Sequence, residues 1–150
     1  MKLSRKTLFA LEAVLDIAYN ARTQPVQSKE ITQRQGIPRR YLEQVMQQLV
    51  KAGILKGVRG PRGGYHLARE RRRISVGEIV RVVDALEGNN GEEIYETRSE
   101  LGRKIVSRLL ADLHDAMMTR LDAISIQDLC DQARADGVRR VSAERPDFTI

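Results

Sequence analysis

Arg39, Arg40, Tyr41, Glu43, Gln44 and Gln47 stand close together in a stretch that continues to Arg59 and Arg62, set in the turn Arg59-Gly60-Pro61-Arg62-Gly63-Gly64. Guanidinium and amide groups of this kind suit hydrogen bonding to phosphate oxygens and base edges rather than covalent chemistry. The arginine charge cannot be titrated away near neutral pH. Arginine carried on the tip of a glycine-rich turn suits a narrow, strongly negative minor groove.

The elements that must position these side chains can be read from residues 28–67. Ser28 can cap a short helix that ends near Gln35, Gly36 supplies a positive-φ turn, and Pro38 presets the backbone for the next helix. In that second helix Leu42, Val45, Met46 and Leu49 fall on one stripe, so the long polar side chains face away from it. The spacing is that of a helix-turn-helix. Ile54–Val58 and Tyr65–Leu67 are strand-like and flank the arginine turn, which predicts a β-hairpin wing. The helix before this unit runs from about Ser4 to Ala21, with Leu8, Leu11, Val14, Leu15 and Ala18 on its apolar face and Arg5, Glu12, Asp16 and Asn20 on the wetter one. After the wing, Ser75 and Glu78 form a capping box for a helix over Val76–Leu86.

Gly88, Asn89, Asn90 and Gly91 mark a loop or hinge. Beyond it Val106, Leu110, Leu113, Met117, Leu121 and Ile124 recur at alternating spacings of three and four, which predicts a single amphipathic helix of about 25 residues and nearly 40 Å. That is longer than a small domain needs, so its seam is expected to meet a second subunit; a helix folded back on its own domain is the alternative. Ser125 with Asp128 caps a further short helix that Gly137 ends. The fold class is mainly α with a small β-hairpin wing. Its expected parts are a winged helix-turn-helix over 1–88, a loop over 89–98, a dimerisation helix with a short following helix over 99–137, and a flexible tail over 138–150.

Charge is uneven along the 150 residues. Residues 1–88 carry 17 Lys and Arg against eight Asp and Glu, whereas residues 89–150 carry nine against 12. A basic part joined to a slightly acidic one fits contact with phosphates through the first part only. No apolar run approaches the roughly 20 residues that span a bilayer, and the opening segment soon meets Glu12 and Asp16, which together point to a soluble, cytoplasmic protein without a membrane partner. The single cysteine, Cys130, excludes an intrachain disulfide framework and a four-cysteine metal or cluster site. It reads as a buried small residue, a thiol sensor or an intersubunit disulfide. Neither His66 nor His114 has a partner at metal-ligand spacing.

The segments MKLSRKTLFALEAVLDIA, ITQRQGIPRRYLEQVMQQLVKAGIL, VRGPRGGYHL and SVGEIVRVVDALEG resemble the IscR/NsrR-type family of bacterial winged-helix transcriptional regulators over residues 1–88. The long helix followed by ISIQDL resembles that family's dimerisation helix and its continuation. The resemblance implies a homodimer on a palindromic operator, with the second helix in the major groove and the wing in the flanking minor groove. Arg40, Tyr41 and Gln44 would then approach bases or phosphates, Glu43 would tune site preference, and Arg59, shaped by Gly60 and Pro61, would enter the minor groove. Ser28, Arg39, Gln47, Arg62 and Gly63 complete the candidate DNA-binding residues. Tyr41 could instead pack on the first helix, and Glu43 could simply pair along the helix surface.

Family members with an iron–sulfur cluster hold it with three cysteines in the loop that here reads GNNGEEIYETRSELGRK, which has none. Glu92, Glu93 and Glu96 are poor substitutes for thiolates, so no cofactor and no metal site are expected. The resemblance leaves a small-molecule or protein effector open. The function implied is a sequence-specific transcriptional regulator, a repressor. A basic RNA- or ribosome-associated protein is the alternative, against which stands the lack of a clustered aromatic platform. An enzyme is disfavoured because GPRGG lacks the Gly-Lys-Ser/Thr ending of a phosphate loop and leads into a strand.

Overall fold

The computed structural model describes residues 3–88 and 97–141. Among them are α1 (Arg5–Tyr19), α2 (Ser28–Gln35), α3 (Arg39–Lys51), β1 (Leu55–Val58), β2 (Gly64–Leu67), α4 (Val76–Leu86), α5 (Ser107–Asp122) and α6 (Ile126–Ala135). The expected hinge residues Asn89–Gly91, the acidic Glu92, Glu93 and Glu96, and the tail beyond Val141 lie outside the described residues.

α1 runs through the middle of the molecule because its inner face is built from small and branched residues. Ala10, Ala13, Val14, Ile17 and Ala18 are all buried, which lets α3, α4 and α6 approach it. The face is rotated from the one expected. Leu8 is 53% exposed, while Asp16, assigned to the wetter side, is 3% exposed and Asn20 is buried beside it. Asp16 can lie inside because its carboxylate is fully engaged: Arg34 donates through Nε at 2.9 Å and Nη2 at 2.8 Å, and Gln35 through Nε2 at 2.8 Å. A buried charge is tolerated only when it is paired and hydrogen-bonded. These three bonds fix α2 against α1.

α2 begins with Ser28 as its first helical residue, and Gln27 rather than Ser28 is the N-cap. The reason is the position of Glu30, whose carboxylate accepts the backbone N–H of Gln27 at 2.8 Å and so sets the helix start three residues before itself. Burial alone would raise the Glu30 pKa. The hydrogen bonds from Arg22 and the Gln27 N–H, with the charges of Arg22 and Arg34, outweigh it and hold the carboxyl below its ordinary value. A carboxylate whose folded pKa is depressed adds stability above its unfolded pKa and loses it as pH falls through the folded one. Glu30→Gln is therefore expected to lower the melting temperature at neutral pH, with the deficit shrinking below about pH 4. A deficit that persists unchanged in acid would show that the charge is not its source.

Gly36 closes α2 with φ 66°, a conformation costly for any side chain, and turns the chain into α3. Leu42, Val45, Met46 and Leu49 are all buried, as their spacing requires. They meet α1 and join Ile31, Ile37, Ile54 and Ile79 in one core. α3 then passes through a short turn into β1, which pairs antiparallel with β2 in the register Leu55↔Leu67 to Val58↔Gly64. The hairpin is anchored through β2 to the chain before α2, where Val26 and Tyr65 exchange backbone hydrogen bonds of 3.0 and 2.8 Å.

α4 starts at the expected capping box: Ser75 Oγ accepts the Glu78 N–H at 3.1 Å, and the Glu78 carboxylate accepts the Ser75 N–H at 3.0 Å. α6 starts in the same way at Ser125 and Asp128. The two starts are stitched together, since the Val76 N–H donates to Ile124 O and the Ile126 N–H to Ile74 O, both at 2.8 Å. Ile126 and Cys130 of α6 consequently belong to the main core, and the C-terminal elements share it with the winged domain.

The long helix is helical over residues 100–122 but not uniformly α, because Gly102–Val106 forms a π-helical turn. Its seam divides. Met117, Leu121 and Ile124 pack with Met118 against Val76 and Val80 of α4, so this end is folded back on its own domain. Among the described residues the other end has no such cover. Residues 138–141, the start of the expected flexible tail, lie against α1: Tyr19 Oη donates to Val138 O, and the Val141 N–H donates to Asn20 Oδ1 at 2.9 Å.

Candidate nucleic-acid interface

The residues left outside by the α3 stripe form one polar face. Arg39, Arg40, Tyr41, Glu43, Gln44 and Gln47 are all exposed. From Gly36 to Gly64 the chain carries six basic side chains, Arg39, Arg40, Lys51, Lys56, Arg59 and Arg62, against a single carboxylate, Glu43. That carboxylate accepts from Arg39 Nε at 3.1 Å in an exposed i,i+4 pair. Such a pair contributes only a few tenths of a kcal/mol and can reopen when a phosphate or base edge competes for either partner. Among the described residues Arg40, Arg59 and Arg62 take part in no ion pair, so their donors face solvent unspent.

Tyr41 combines the two roles its position allowed. Its ring centroid lies 5.9 Å from that of Phe9 on α1 with the planes tilted by 36°, while 39% of the residue remains exposed. Packing on Phe9 fixes the ring and leaves its outer edge available. Ser28 sits half-buried at the first position of α2 and does not cap it.

The wing tip spans Arg59, Gly60, Pro61, Arg62 and Gly63. Gly60 takes φ 114°, and the Gly63 N–H donates to Gly60 O at 2.9 Å. A Cβ on Gly63 would sit 2.2 Å from Val58 O, so the tip closes this tightly only with glycine there. The result is a compact loop with two exposed guanidiniums on a short hairpin. Together, α3 and the wing present donors for acidic oxygens and base edges in two separated patches, one on a helix and one on a thin β-ribbon.

Among the described residues no group of three His, Cys, Asp or Glu side chains gathers to hold an ion. Cys130 is fully buried, and burial pushes its thiol up despite the opposing charges of Arg71 and Arg140. It fits the buried-residue reading, and its sulfur is inaccessible to a second subunit in this conformation. A cluster held by three thiolates does not fit a chain whose one cysteine is packed into the core. No helix among the described residues is long and apolar enough to cross a membrane.

Sequence reasoning missed part of the exposed apolar surface. Leu101, Ile105 and Leu109 join Val106 and Leu113 as solvent-facing large hydrophobics, Leu101 at 74% exposure. The signal was present as a four-residue repeat, 101, 105, 109 and 113. It ran beside the expected seam, and the π-helical turn, wider than an α-helical one because its hydrogen bonds span five residues rather than four, keeps such a repeat closer to one line.

Residues 3–132 match the Rrf2 family, described as iron-dependent transcriptional regulators. The chain is 45% identical over 136 residues to the HTH-type transcriptional regulator IscR of Enterobacter sp. (strain 638), covering 86% of this chain and 79% of that protein. It is 34% identical over 166 aligned positions to IscR of Xenorhabdus nematophila, covering 100% and 96%. Among solved structures, CymR, the global cysteine regulator of B. subtilis, superposes with a TM-score of 0.72 at 30% identity over 88% of this chain and 98% of that one. IscR of T. potens gives 0.68 at 31% identity over 95% and 96%. Those proteins are transcriptional regulators rather than enzymes, and their winged-helix architecture is the one described here. The chain therefore belongs to the Rrf2 family of DNA-binding transcriptional regulators.

Proposed function

We propose that this regulator acts in the cytoplasm as a homodimeric repressor on a palindromic operator, without an iron–sulfur cluster. One α3 enters the major groove of each half-site. Arg40, Tyr41 and Gln44 approach base edges or phosphates there, Arg39, Gln47 and Ser28 lie at the margins, and Glu43 sets site preference. Each wing places Arg59 in the flanking minor groove, with Arg62 on the adjacent backbone and Gly60, Pro61 and Gly63 holding the tip in shape. The observation that carries this reading is the exposed polar face of α3 beside a tight loop of unpaired arginines. Such a pair of surfaces fits a wide groove and a narrow one.

The second copy is expected on the row formed by Leu101, Ile105, Val106, Leu109 and Leu113, with Leu110 at its edge. This revises the interface expected from periodicity, because Met117, Leu121 and Ile124 already pack on α4. A large contiguous apolar row on a protein surface marks a contact site, and a two-fold dimer would match a two-fold operator.

Arg59→Ala is expected to weaken binding by about 1 to 3 kcal/mol, most on duplexes with A/T-rich flanks, where the groove is narrowest. Fluorescence anisotropy with matched A/T- and G/C-flanked duplexes measures both quantities. An unchanged affinity would remove the wing from the interface. In the same assay a single-stranded RNA of equal charge should compete poorly at near-physiological salt; equal competition would favour a general basic RNA-binding protein instead.

A further inference from the structure

Behind the wing lies a cavity of about 450 Å³ that the DNA-facing surfaces do not use. Its walls come from the C-terminal end of α1 (Ala18, Tyr19), the end of β2 (Leu67), a 3₁₀ turn at Arg71–Arg73, α6 (Gln127) and Arg140. The volume is within the range of small-molecule sites. Four arginines and one glutamate line it, and their states differ. Arg69 is engaged by Glu78 at 3.1 Å, and Arg72 by Glu70 at 2.5 Å. Arg71 and Arg140 have no carboxylate partner among the described residues.

Arg140 is the unusual one. Its guanidinium carbon lies 4.9 Å from the centroid of the Tyr19 ring, which orients the plane, yet its Nε and Nη2 atoms are buried with no hydrogen-bond acceptor. Two buried charged donors left without acceptors are costly unless a ligand supplies oxygens. Arg71 donates to Ala18 O at 3.3 Å and also hydrogen-bonds the Cys130 thiol, which leaves it the remainder of its five donors. Both guanidiniums act on the Cys130 thiol, so they converge on the same region of the core edge.

We propose that this cavity binds a small organic oxyanion, a carboxylate or a phosphate ester, whose charged head is gripped by Arg140 and Arg71 and whose body lies along Leu67, Ala18 and Tyr19. A planar guanidinium with adjacent free donors matches such a head in a bidentate fashion. Arg71 follows the wing strand and Arg140 follows α6, so the bound anion would join the hairpin base to the end of the chain's last helix. Binding here does not depend on how the helix-turn-helix reads DNA.

Isothermal titration of the full chain with citrate, phosphoserine and inorganic phosphate, at neutral pH and constant ionic strength, tests it. Saturable binding of one anion per chain is expected for citrate or phosphoserine, and the comparison of the two separates a carboxylate head from a phosphate one. Arg140→Gln should weaken it about ten-fold or more, Arg140→Lys should recover part of the loss, and Arg108→Gln, an exposed charge on α5, should leave it unchanged. Arg71→Gln provides a second variant, with circular dichroism to confirm that each is folded. Saturation by none of the three probes would overturn the proposal, as would wild-type affinity in folded Arg140→Gln. Loss of affinity for duplexes of every sequence in Arg140→Gln, with no anion bound by the wild type, would identify a DNA-backbone clamp instead.

Discussion

Leu113→Asp is expected to yield a folded monomer whose affinity for the proposed operator falls about 100-fold or more. The substitution is informative because Leu113 is 48% exposed and makes no part of the core, so an aspartate there costs the subunit little on its own. In a dimer the same carboxylate would be driven into an apolar contact and would face its symmetry mate. Without the dimer, each half-site is bound independently. The gain from linking two modules, typically a factor of about 10² to 10⁴, then disappears. Analytical ultracentrifugation with an operator titration reads both effects. A variant that stays dimeric would place the interface off this row, whereas a monomer with undiminished operator affinity would mean that one subunit suffices for recognition. Met117→Asp would be a poor test, because Met117 packs on the α4 side and its loss would unfold rather than dissociate.

Asp16→Ala should destabilise the protein by about 3 kcal/mol. It removes a fully buried carboxylate and leaves Arg34 and Gln35 with three unmet donors, and breaking one side of a buried pair commonly costs about 3 to 5 kcal/mol. Arg34 is partly exposed and can recover some hydration, which places the expectation at the lower end. Against a typical domain stability of about 5 to 15 kcal/mol this is a large fraction, and chemical denaturation measures it directly. Because the lost bonds orient α2 beside α3, operator affinity should fall as well, even at temperatures where the variant is folded. A loss below about 0.5 kcal/mol would show that α2 is held by its apolar contact through Ile31 alone.

The parts of this architecture that were legible in the sequence are those specified by neighbours in the chain. Leu42, Val45, Met46 and Leu49 announce a buried stripe by spacing, Ser75 with Glu78 and Ser125 with Asp128 announce helix starts, and the glycines around Arg59 and Arg62 announce a tight turn. The exposed face of α3 follows from the same periodicity. What was not legible depends on distant partners. Asp16 reads as a surface residue of an amphipathic helix until Arg34 and Gln35, 18 and 19 positions away, arrive to satisfy it. The even seam of the long helix gives no sign that Val76 and Val80 claim its far half. Ser28 looked like a cap because serine favours that position, but Glu30 fixes the start one residue earlier. Residues 138–141 have the mixed composition of a tail, and only Tyr19 and Asn20 show why they are held.

On the proposed reading, α3 and the wing of a dimer together recognise a specific two-fold DNA sequence. Selection of genomic fragments by the purified protein at near-physiological salt, with bound and unbound pools sequenced side by side, tests this recognition most directly. Enrichment of a palindrome whose half-sites lie about one helical turn apart, flanked by A/T-rich steps where the wings fall, is the expected result. Equal recovery of all fragments would contradict sequence-specific recognition by α3 and the wing.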